Sequence, residues 1–197
     1  MSTSLTEAIA ISAAQLVVED GMEYAEAKRK AARQLAGPRA RPGELPRNEE
    51  VEEQVRAHLA LFCADSQPAE LRALREAALQ WMQRLAAHRP HLAGATWRGT
   101  ATRRSALLLD LYCDDAKSAE IDLINLGIRF DAGGDGSAAG PPVLTLATRV
   151  ADWAEPVTLH LVLHDLDDLR GALKPDARGR SWRGDAAALQ RLLAAQP

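Results

Sequence analysis

Large aromatic rings are few in this chain: Phe, Trp and Tyr together make up 4% of its 197 residues. A core without them must be filled by aliphatic side chains, and the abundance of Ala, Leu and Arg points to many closely packed helices. Cysteine occurs twice, as Cys63 and Cys113, in different segments and without a CxxC pair. That pattern excludes a disulfide scaffold and points to free thiols in a reducing compartment, so a cytoplasmic location is expected. No apolar run approaches the roughly 18 residues of a membrane helix. The stretch MSTSLTEAIAISAAQLVVEDG has no basic region and carries Glu7, Glu19 and Asp20, unlike a signal peptide. Neither charge is in strong excess. The formal net charge of −3 argues against general DNA binding or attachment to an anionic membrane surface. No internal repeat is visible. What the chain does have is a hydrophobic content of 47%, enough for a core and too much for a disordered chain.

Helical periodicity fills the first half. Residues 4–19 carry an apolar stripe of Ile9, Ala13, Leu16 and Val17 behind a Ser4 or Thr6 cap, and Asp20-Gly21 ends them. Residues 23–36 place Tyr24, Ala27, Ala31 and Leu35 on one face, with Glu26 and Lys30 spaced for an ion pair. The Pro- and Gly-rich stretch 37–48 reads as a linker, after which Asn48 can cap a third helix to about residue 63. A fourth, about 67–88, carries Leu71, Leu74, Ala78, Leu79, Met82 and Leu85.

At Pro90 the apolar rhythm changes. Residues 91–98 read as a strand, with Gly99 following, and 105–113 (SALLLDLYC) as a central strand, apolar on both faces. Asp114 and Asp115 cap a helix from Ala116 to Leu126. Strands are expected again at 128–131, 142–150 and 156–164. A short helix then runs from Asp165 to Leu173, followed by a basic loop over 174–185 and a last helix capped by Asp185. The expected class is α+β: a helical N-terminal region, 1–64, then a domain, 65–197, whose small mixed sheet carries helices on one face.

The segment Gly94 to Asp115 holds a Gly99-Thr100 turn, a short basic stretch, Ser105 and then the buried strand. Over about residues 66–164 this order resembles the polymerase-β-like nucleotidyltransferase superfamily, whose signature runs helix, strand, Gly-Ser, spacer, Ser-Asp-hydrophobic-Asp. The resemblance implies that Gly99 and Thr100 address a triphosphate, with Arg103, Arg104 and Ser105 beside them as ligand-binding candidates. It also implies two carboxylates alternating along the strand, which share one face and bind the Mg²⁺ ions that align phosphoryl transfer from an NTP. Those positions fall on Ala106 and Leu108, which cannot ligate a metal. A third carboxylate would fall on the strand around 157–163, where His160 is the polar candidate.

Asp110 shares a strand face with Ala106 and Leu108 but lies roughly 6–7 Å beyond the second position. It is the candidate catalytic carboxylate. With His160 and His164 it could hold a divalent transition metal; alternatively it pairs with an arginine and the histidines line a half-exposed face. Arg178, Arg180 and Arg183 surround Trp182, a combination suited to a nucleotide, an RNA end or an acidic partner, or simply to an exposed loop. The GGDG within 132–140 precedes no helix and is assigned no role. No Ser–His–Asp or Cys–His arrangement follows from spacing.

The function implied is that of a catalytically degenerate nucleotidyltransferase-like protein that binds a nucleotide-type ligand or a protein partner. The alternatives are an active Mg²⁺-dependent enzyme moving a nucleoside monophosphate from an NTP, and a structural oligomerisation protein. The stripe of Ile9, Leu16, Tyr24 and Leu35 motivates a homodimer.

Overall fold

The computed structural model describes residues 4–37, 45–133, 140–175 and 179–195, so most of the expected 37–48 linker and much of the glycine-rich 132–142 stretch lie outside the described residues. The chain divides into two compact units: Met1–Glu70 with Thr100–Ser105, and Leu71–Gly99 with Ala106–Pro197. Among the described residues no helix is long and apolar enough to cross a membrane.

The first unit contains α1 (Leu5–Asp20), α2 (Tyr24–Ala36) and α3 (Asn48–Phe62). Ser4 caps α1 by accepting the Glu7 N–H, and Gly21, at φ +69°, turns the chain out of it. At α3 the Glu50 carboxylate accepts the Arg47 N–H at 2.6 Å. The expected cap Asn48 instead accepts a hydrogen bond from Lys28 at 2.7 Å. Lys30 meets Asp20 at 3.4 Å rather than Glu26. Ile9, Ala13, Val17, Ala27, Ala31, Val51, Val55 and Leu59 close a core within this unit. Alanine at the contacts lets helices approach closely where no large ring is available. Leu35 lies off this core at 49% exposure; Ala32 takes the inward position. The stripe that motivates a homodimer is thus largely taken up inside the unit.

Helix α4 (Gln67–Arg84) has its first turn in the first unit and the rest in the second. Leu74, Ala78, Met82 and the following Leu85 are buried as its periodicity requires. The chain then makes a 3₁₀ turn at Ala86–His88. The second unit holds a five-stranded mixed sheet of β1 (His91–Ala93), β2 (Leu107–Cys113), β3 (Asp131–Gly133), β4 (Val143–Thr148) and β5 (Val157–Asp165), in the order β1-β2-β5-β4-β3. Strand β2 pairs in parallel with β5, and the other pairs are antiparallel. Helices α5 (Gly94–Arg98), α6 (Ala116–Asn125), α7 (Leu169–Ala172) and α8 (Ala186–Ala195) complete it.

The α+β class is as the sequence implies. The expected strand 91–98 is shorter, because residues 94–98 are helical. The expected strand 128–131 instead lies at 131–133. A 3₁₀ turn at Leu166–Asp168 opens the short helix expected after Asp165.

Alternation divides the sheet. One face shows Leu107, Leu109, Leu111, Leu159, Leu161 and Leu163, each at most 3% exposed. On that side Trp81 of α4 donates to Thr148 at 2.6 Å, so the helices cover it. The other face carries Leu108, Asp110 and Tyr112 of β2 beside His160, Val162 and His164 of β5, paired residue for residue. Replacing Leu109, fully buried at the centre of β2, by Ala is expected to cost about 2–5 kcal/mol. A urea melt should show a lower midpoint at unchanged slope.

Candidate functional site

The polar face of the sheet is assembled around the end of β1. Gly94 follows Ala93 at φ +68°, a left-handed conformation that glycine adopts without strain, and the chain passes directly into α5. A Cβ at Gly94 would touch the Cβ of Leu108 at 3.5 Å, so this turn lies against β2. The strand-then-glycine turn therefore sits at Gly94-Ala95, five residues before the Gly99-Thr100 expected from sequence. Gly99 lies at the other end of α5. At φ +84° it ends α5, its N–H bonding to the Ala95 carbonyl. The buried Arg75 anchors the same helix end, donating to the carbonyls of Thr96 (3.1 Å) and Trp97 (3.2 Å). Burial pushes the pKa of Arg75 down.

The other residues expected around Gly99 belong to the first unit. The Arg103 N–H donates to Glu70 at 2.9 Å, and its guanidinium meets the same carboxylate at 3.2 Å. The Arg104 guanidinium donates to the Glu19 carbonyl. Ser105 Oγ accepts the Thr102 N–H at 3.0 Å. Thr100 is buried, its hydroxyl without a hydrogen-bond partner.

Asp110 is buried on β2, with its side chain 7% exposed. Its Oδ1 lies 3.0 Å from His164 Nε2. Its Oδ2 lies 2.9 Å from a guanidinium nitrogen of Arg183, close enough for an ion pair although not aligned for a hydrogen bond. The same nitrogen donates to the Tyr112 hydroxyl at 2.5 Å. The Tyr112 ring stacks on His164 at 5.1 Å and meets His91 edge-on at 5.3 Å. Burial pushes the Tyr112 pKa up, against the lowering effect of the Arg183 bond, and keeps the phenol neutral.

Arg183 arrives from far along the chain because the segment before α8 is held to β1. Gly184 and Leu92 exchange both backbone hydrogen bonds, at 2.8 and 3.0 Å. Gly184 also lies so close to the Trp97 ring that a Cβ there would collide with it. Trp97 donates to the Ser181 carbonyl at 2.9 Å. Nearby, the Arg98 and Arg180 guanidiniums stand 5.8 and 5.9 Å from the Trp182 ring centroid, within cation–π range. Arg178 lies outside the described residues.

His160 sits opposite Leu108 in the parallel register, and its Nδ1 lies 3.0 Å from Thr145 Oγ1 on β4. The structure thus joins Asp110 to His164 and Arg183 and directs His160 elsewhere. Among the described residues no group of three or more His, Cys, Asp and Glu side chains could hold a metal ion. Sequence spacing also missed a second chain of contacts, on the helix-covered face. Cys113 Sγ lies 3.5 Å from His88 Nδ1, and His88 Nε2 lies 2.8 Å from Asp122. These residues come from a strand end, a 3₁₀ turn and a helix, so no local pattern announces them.

No protein-family profile matches the chain, and no curated protein sequence matches it. It is similar to a solved structure of Cid1, described as having RNA terminal uridylyl transferase activity, at 16% identity and a TM-score of 0.37. The match covers 57% of this chain and 36% of that one. The chain spans about a third of the length of that protein, and a likeness of this degree carries neither family nor activity.

Burial pushes the Cys113 thiol pKa up, which leaves even less thiolate near neutral pH than in an exposed thiol. In native protein at mildly alkaline pH, Cys63 is expected to react with a thiol reagent first and Cys113 only after denaturant is added. Mass spectrometry of the labelled peptides checks the order.

Proposed function

We propose that this chain is a nucleotidyltransferase-like domain without metal-dependent nucleotidyl transfer, and that it acts by binding a nucleotide-type ligand on the open face of its sheet. One observation carries the reading. The turn glycine Gly94, the second carboxylate position Leu108 and the third position His160 converge on a single patch. The order of elements that resembles the superfamily is therefore matched by spatial convergence, and none of the converging side chains is acidic. Ala106 occupies the remaining ligand position.

Two-metal phosphoryl transfer needs carboxylates to hold the cations against the triphosphate. A methyl, an isobutyl and an imidazole bonded to Thr145 supply no such charge. Asp110 does not restore it, because its carboxylate already faces Arg183 and His164. Removing one well-placed electrostatic group costs about 10²–10³ in rate, so losing all three positions leaves no efficient transfer. Ligand binding instead falls to half-buried groups on this face, such as His160, Thr145 and Leu108.

Incubation with radiolabelled NTPs, Mg²⁺ or Mn²⁺ and cell extract is expected to give no label transfer, and calorimetry is expected to show nucleotide binding that Mg²⁺ does not strengthen. Robust transfer abolished by Asp110→Ala would overturn the proposal in favour of an enzyme with a displaced carboxylate. Absence of any nucleotide binding would overturn the ligand assignment.

A protein partner is the second reading, favoured by α6. Ile121, Ile124 and the following Leu126 are 54%, 64% and 54% exposed, an apolar strip of the kind that interfaces use. If the partner is a second copy, light scattering will give twice the 21.3 kDa chain mass, and Ile124→Glu will return it to the monomer value. A monomer at every concentration rules out self-association.

A further inference from the structure

The open face also holds a histidine–aspartate pair that the binding proposal does not use. His164 stands near the end of β5, opposite Tyr112, with its Nε2 3.0 Å from Asp110 Oδ1. A carboxylate can only accept, so in the neutral ring Nε2 carries the proton and the lone pair resides on Nδ1. Nδ1 has no partner among the described residues. Nor is it among the buried unpartnered atoms of a side chain that is 20% exposed, so this lone pair is open to solvent. Stacking on Tyr112, which Arg183 holds by its hydroxyl, fixes the plane of the ring.

The other histidines differ. His88 has both ring nitrogens engaged. His91 Nδ1 is bonded to the Arg89 carbonyl and His160 Nδ1 to Thr145. His58 has a carboxylate only at 3.8 Å.

We propose that His164, positioned by Asp110, is a metal-independent nucleophile toward activated acyl groups. The Nδ1 lone pair forms a C–N bond to the carbonyl carbon, and the leaving group departs with the electron pair of the bond that breaks. The positive charge that develops on the imidazole is met at Nε2–H by the Asp110 carboxylate. Water then attacks the carbonyl carbon of the acyl-imidazolium; the C–N bond breaks with its electron pair returning to Nδ1, the acid is released, and a proton from the water passes through solvent to the departed leaving group, so the net reaction is hydrolysis of the activated acyl compound. The assignment rests on Asp110, His164, Tyr112 and Arg183 and is independent of the nucleotide reading.

The probe is diethyl pyrocarbonate, applied to the full chain near neutral pH, with each histidine-containing peptide followed by mass spectrometry. His164 is expected to be carbethoxylated roughly tenfold faster than His88, His91 or His160, and Asp110→Asn to remove most of that advantage. Long-range ¹H–¹⁵N spectra of the unmodified protein should show His164 as the Nε2–H tautomer, a readout that stands if the variant fails to fold. A His164 rate no higher than that of His160, a rate unchanged in folded Asp110→Asn, or an Nδ1–H tautomer would each overturn the proposal.

Discussion

A carboxylate buried on a central strand has to be met by positive charge or donors, because water no longer solvates it. Asp110 imposes this condition on the second unit. Its neighbours on β1 and β5 satisfy it only in part, through His164. The guanidinium comes from Arg183, more than seventy positions away in sequence. For that side chain to arrive, the segment ahead of α8 must lie beside β1, and the Gly184–Leu92 bridge and the close approach of Gly184 to Trp97 hold it there. The α8 cap follows directly, with Asp185 accepting the Ala188 N–H at 2.7 Å. The path of the C-terminal segment is therefore tied to one buried charge.

The same condition sets the chemistry of the open face. A cluster of carboxylates there would attract divalent cations, whereas a single carboxylate met by a guanidinium and an imidazole is neutralised from within the protein. What remains toward solvent is a set of groups that work without a metal: an oriented imidazole, a second imidazole bonded to a hydroxyl, and apolar side chains between them. The helix-covered face differs in kind. There the leucines of β2 and β5 are sealed, and the polar atoms of Trp81, Thr148, Cys113 and His88 find partners inside the protein.

The first unit stands on another principle. Its core is built from alanine, valine and a few larger aliphatics, so it is held by close approach of helix backbones rather than by large buried areas. Polar ends do the trimming: Ser4, Glu50 and the pairing of Lys30 with Asp20 settle the helix termini.

Apart from α5, whose residues read as part of a strand, the helices of both units and the strands β2, β4 and β5 were legible in the residues, because a 3.6-residue or a two-residue apolar rhythm is a local property and survives in any context where one face is buried. So were the α+β class, the Ser4, Asp115 and Asp185 caps, and the absence of acidic residues at positions 106 and 108. Three features could not be read there. The end of β1 at Ala93 depends on Gly94 adopting a left-handed turn against Leu108, a contact with a different strand. The partners of Asp110 come from β5 and from the C-terminal segment, so strand alternation could name its face and offer His160, His164 or an arginine as neighbours, but could not single out His164 and Arg183. The Cys113–His88–Asp122 chain likewise joins three elements across the sheet. Sequence by itself determined most of which residues are helical, which are extended and which side of each turns inward, α5, β3 and Leu35 being the exceptions. Tertiary structure alone decided which charges meet, because electrostatic pairing depends on through-space distance and the chain brings remote positions within 3 Å only after the sheet and its flanking segment are in place.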